Sequence, residues 1–121
     1  LEDRKISNKA TSFFNQLTFF ENALGITIYD DFSKVELHFI HLFRREKLIN
    51  GVFELLEYLN ENDYRVFILS NSIFSGNNLK IYLDHLGAGK YIEDLFTSAD
   101  IGFRKPSEEI FTYVIEKLEI K

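Results

Sequence analysis

Residues 65–72 read Arg-Val-Phe-Ile-Leu-Ser-Asn-Ser, a nearly continuous apolar run closed by three small polar residues. Apolar side chains on consecutive positions, without alternation, suit a strand covered on both faces, and such strands belong to parallel sheets. A second short run, Leu95-Phe96-Thr97-Ser98, follows a helical stretch from Gly76 to Leu86 that Gly87 stops. A right-handed crossover between the two strands makes them parallel and puts their carboxyl ends on one edge. The expected class is α/β, with a partial Rossmann-like parallel sheet.

Upstream the periodicity is helical. From about Ser7 to Leu24 the apolar residues Phe13, Leu17, Phe20 and Leu24 recur at helix spacing, and Gly25 is a plausible stop. A second helix is expected from about Asp31 to Lys47, with Val35, Phe39, Leu42 and Phe43 on one side and Asp30 or Asp31 as its cap. Residues 1–47 thus read as an antiparallel helix pair, and residues 48–121 as the α/β part. Within the latter, Val52-Phe53, Leu55-Leu56 and Leu59 make a short amphipathic helix, and Pro106 opens a last one that runs through Leu118.

Several functions are excluded early. A formal net charge of −5 argues against a nucleic-acid surface, and the one basic cluster, Arg44-Arg45 with Lys47, is too short for one. With no cysteine, disulfides, thiolate metal sites and a Cys nucleophile are ruled out. No apolar run approaches a membrane span and nothing resembles a signal peptide, so a cytoplasmic protein without membrane partners is expected. The sequence opens at Leu1 and holds no Met, so a stretch of a longer polypeptide is expected. Oligomeric state is not legible.

Ligands of open α/β sheets bind outside the carboxyl ends of the strands. Ser70 and Asn71 end the first run there, and Lys105 stands 35 residues after Ser70, about one βαβ unit. A hydroxyl, the N–H beside it and an ammonium can grip one small anion, and the helix expected from Pro106 adds the positive end of its dipole. Phosphate fits these donors. Taken singly, Ser70 is a turn residue and Lys105 a surface lysine; their joint spacing favours the site. Arg104 and Asp100 read as solvated charges. His38 and His41, three apart with Glu36 near, make part of a metal site with no evident third ligand, so partly buried helix histidines are expected. Phe13, Phe14, Phe19 and Phe20 could line a pocket, but packing of the helix pair is the expected role.

At these residues the chain resembles the haloacid dehalogenase (HAD) superfamily of hydrolases. The apolar run into Ser70-Asn71, then Gly102-Phe103-Arg104-Lys105-Pro106 leading to Ile110-Phe111, look like motifs II and III of its members that carry a helical cap. The intervening text from Leu79 to Asp100 fits as well, and residues 1–47 look like most of such a cap. The resemblance implies a Mg²⁺-dependent phosphatase that hydrolyses a small phosphorylated metabolite through an aspartyl-phosphate. It gives Ser70 and Lys105 catalytic roles, and makes Ser70, Asn71 and Lys105 the substrate-binding set, with Lys105 acting by charge.

The chain departs from that pattern in two places. The Asp-x-Asp nucleophile motif has no counterpart: Ile26-Thr27-Ile28-Tyr29-Asp30-Asp31-Phe32 has Phe32 where the second Asp belongs, so Asp30 and Asp31 read as helix caps. The acidic motif that completes the magnesium site is likewise absent, so no residue here is assigned as a metal ligand. The chain alone is expected to be inactive. Two alternatives remain: a 2-haloacid dehalogenase-like hydrolase, or a non-catalytic phosphate-binding or regulatory domain.

Overall fold

The computed structural model describes residues 9–44 and 50–119. The expected start of the first helix at Ser7, the end of the second at Lys47, the basic pair Arg45 and Lys47, and the boundary between 47 and 48 lie outside these residues. Helix α1 spans Phe13–Leu24 and helix α2 Phe32–Phe43. The α/β part follows as α3 (Val52–Glu61), β1 (Phe67–Ser70), α4 (Gly76–Leu86), a 3₁₀ turn at Gly89–Tyr91, β2 (Asp94–Thr97), α5 (Ser98–Ile101) and α6 (Glu108–Leu118).

The described α-helices other than α3 begin where a side chain satisfies a free N–H group. Ser12 accepts from the Asn15 N–H, and the chain before it is extended, with Lys9 bridging antiparallel to Phe103, so α1 starts later than its periodicity implies. Asp31 caps α2 by accepting from the Ser33 N–H at 2.7 Å, as expected of it. Ser107, not Pro106, caps α6, and Glu108 and Glu109 occupy its first turn. Those carboxylates already complement the helix dipole, so this end adds less to an anion site than the sequence implied.

β1 and β2 pair in parallel, with Phe67 opposite Asp94 and Ser70 opposite Thr97. Parallel pairing is as expected, but β1 is not covered on both faces: its four residues are each half-buried, while Leu95, Phe96 and Thr97 of β2 are buried. Only β2 flanks β1 among the described residues. Before the strands begin, Arg65 forks onto Glu93 through Nε to Oε2 at 3.0 Å and Nη2 to Oε1 at 2.8 Å. The Arg65 hydrogen bond draws the Glu93 carboxyl below its ordinary pKa, and the Glu93 hydrogen bond raises the guanidinium's.

One apolar cluster joins both parts. Phe13, Leu17 and Ile40 of the helix pair pack with Phe74, Leu79, Tyr82 and Leu95, and the Phe13, Phe39 and Phe74 rings meet at 5.1–6.0 Å. The buried spine of α2 is Glu36 and Ile40, not Leu42 and Phe43. Phe20 and Leu24 of α1 are exposed too, because the cluster lies under only the first half of that helix. Phe19 is 66% exposed and Phe20 51%, so packing of the pair explains Phe13 and, through its edge contact with Phe32 at 6.0 Å, Phe14, but not the other two.

Gly76 lets α4 start close against β2. A Cβ there would stand 2.3 Å from the Leu95 carbonyl oxygen, closer than side-chain carbon and backbone oxygen can approach.

Candidate functional site

The carboxyl edge of the strands is built from two loops, residues 71–75 after β1 and residues 102–107 before α6. Ser70 ends β1, half-buried, opposite the fully buried Thr97. The next residue, Asn71, reaches across to the second loop. Its Oδ1 accepts from the Lys105 N–H at 2.7 Å and its Nδ2 donates to the Lys105 carbonyl at 3.2 Å. The two stretches singled out in the sequence therefore meet at one rim, with the Asn71 amide tying the backbone of residue 105. The sequence reading placed Asn71 beside Ser70 but did not foresee this tie.

Lys105 is half-buried, and the peptide bond from it to Pro106 is cis. Among the described residues no carboxylate pairs with its ammonium; the salt bridge found there is Arg65 with Glu93, at the other end of the strands. A cation, a hydroxyl and backbone N–H groups, where they face one another, can hold an anion by charge and hydrogen bonds together.

The loop after β1 is fastened at nearly every residue. The Ser72 N–H donates to the Ser98 hydroxyl at 2.9 Å, and that hydroxyl donates back to the Ser72 carbonyl at 3.0 Å. The Ser72 carbonyl also accepts from the Ala99 N–H, and the Ser72 hydroxyl from the Phe74 N–H. Ser98 is buried, and its strand-end Thr97 caps α5. Neither was singled out from the sequence, because hydroxyls at a strand end carry no signal until their register with Ser70 is known.

Two acids stand at the start of α4. Asp100 is exposed, as a solvated acid should be, yet its Oδ2 accepts from the Gly76 N–H at 2.8 Å. Glu36, only 1% exposed, accepts from the Ser75 N–H and hydroxyl and from Asn78 Nδ2. This turns Glu36 away from any metal role with His38 and His41, both of which are exposed rather than partly buried.

No group of three or more His, Asp or Glu side chains able to hold a metal occurs among the described residues. The described residues alone do not fit the Mg²⁺ that the family resemblance implies. A hollow of about 400 Å³ lined by Glu57, Asn60, Glu61, Lys90 and Tyr91 includes no residue of loops 71–75 and 102–107. No helix among the described residues is long and apolar enough to cross a membrane.

Comparison with known proteins places the chain in a family. A family model described as haloacid dehalogenase-like hydrolase matches residues 3–121. A protein of Bacillus subtilis (strain 168) named "Putative HAD-hydrolase YfnB" is 35% identical over 72 residues. The match covers 60% of this chain and 29% of that protein, so it spans less than a third of the relative's length.

Proposed function

The chain belongs to the haloacid dehalogenase-like hydrolases, and from that premise we propose that its Ser70, Asn71 and Lys105 rim binds the phosphoryl group of a small phosphomonoester. Ser70 Oγ and the Asn71 backbone N–H donate to the phosphoryl oxygens, and the Lys105 ammonium offsets their charge. The nucleophilic carboxylate has no candidate among these residues, so the rim contributes binding and charge stabilisation rather than attack. On this reading the whole protein is a phosphatase of a small phosphorylated metabolite, working in the cytoplasm.

The observation that supports this reading is the Asn71–Lys105 tie, which holds the backbone of residue 105 against the residue that follows Ser70. It is tested by calorimetric titration of the 121-residue chain with inorganic phosphate. Lys105→Ala should weaken binding more than about tenfold, about 1.4 kcal/mol. Unchanged affinity, or no binding by the unaltered chain, rejects the reading.

A further inference from the structure

The loop of residues 71–75 is a seam held from two sides. From the α/β part, Lys105 engages Asn71, and Ser98 with Ala99 engages Ser72. From the helix pair, the Phe13 N–H donates to the Ile73 carbonyl at 2.7 Å, and Glu36 binds Ser75.

The Glu36 contact is the costlier of the two to build. A carboxylate removed from water without a cation forfeits several kcal/mol of hydration. Among the described residues no Lys, Arg or His pairs with it. It is compensated by the Ser75 N–H at 3.2 Å, the Ser75 hydroxyl at 2.5 Å, Asn78 Nδ2 at 2.8 Å, and the positive end of α4. An apolar residue at position 36 would pack that space at lower cost, as Ile40 does one turn later. Local helix capping does not call for Glu36 either, since Ser75 already caps α4 by accepting from the Asn78 N–H.

We infer that Glu36 is a positioning residue for the phosphate-binding rim: it fixes Ser75, hence loop 71–75, hence the hold of Asn71 on Lys105. The inference rests on the phosphate reading above for its functional meaning, though the mechanical chain stands on the hydrogen bonds alone. A tilt of the helix pair would thereby reach Lys105 through the five residues of loop 71–75.

The test is amide hydrogen exchange by NMR on the 121-residue chain, together with phosphate titration. Glu36→Gln keeps the shape but turns an NH₂ toward donors. It should speed exchange of both the Ser75 and Lys105 N–H groups about fivefold or more relative to the β1 amides. It should also weaken phosphate binding by a similar factor, and Glu36→Asp should restore part of both. Faster exchange at Ser75 with none at Lys105 overturns the inference and leaves Glu36 a local anchor. If Glu36→Gln does not fold, Ser75→Ala, which removes one donor to Glu36, should give the same pattern at smaller size; a silent Lys105 there also overturns it. If the unaltered chain binds no phosphate, the function proposed above falls, and the exchange comparison still decides the role of Glu36.

Discussion

The side-chain amide of Asn71 satisfies both backbone polar groups of Lys105, accepting from its N–H and donating to its carbonyl. A side-chain amide has the same donor and acceptor as a peptide unit, so Asn71 holds residue 105 as a neighbouring strand would. Asp offers no donor and Ala neither group. We expect Asn71→Ala to lower phosphate affinity about tenfold with little change in thermal midpoint, since the contact is exposed. Isothermal titration beside a melting curve separates the two effects, and a variant that binds as tightly as the unaltered chain removes Asn71 from the site.

Gly76→Ala should destabilise the fold by about 1–3 kcal/mol, because the added methyl meets the Leu95 carbonyl, a backbone atom that cannot swing aside. Urea unfolding measures this, and a neutral result would mean that α4 slides along β2 without penalty.

Ile40 is completely buried between α2 and the α/β part. Ile40→Ala should cost about 2–5 kcal/mol, whereas Leu42→Ala, two residues on and half-exposed, should cost well under half of that. Equal losses in denaturant midpoints would contradict the Glu36–Ile40 spine.

The Arg65–Glu93 fork predicts a pH signature. Because Glu93 binds its proton less readily in the folded chain than in the unfolded one, its contribution is present above the ordinary carboxylate pKa. It is lost as pH falls through the lowered folded value. Glu93→Gln should therefore melt below the unaltered chain at neutral pH and match it in strong acid, and molar salt should narrow the neutral-pH gap. A gap that widens on acidification would contradict the assignment.

Much of the layout was legible from the sequence, for identifiable reasons. Gly76–Leu86 with its Gly87 stop is found as read, since Ser75 caps one end and a left-handed glycine closes the other. Parallel pairing followed from the two short runs with a helix between them. Faces were harder. Val35, Phe39, Leu42 and Phe43 made a convincing apolar stripe, but Glu36 is buried, because three donors and a helix terminus compensate a charge that periodicity counts as polar. Within the site, the stretches around Ser70 and Lys105 could be paired by spacing. The Ser72–Ser98 exchange could not, because hydroxyls at strand ends carry no signal until the register is known.

The shared cluster bears on any effort to trim or recombine this gene. A cut placed to discard the helix pair would take Phe13, Leu17 and Ile40 with it, stranding Phe74, Leu79, Tyr82 and Leu95 against solvent. What remained would be a sticky half-molecule rather than a minimal domain. Chimeras with relatives should carry the donor's partner for residue 75 along with its helices, or the graft will sit on the wrong footing.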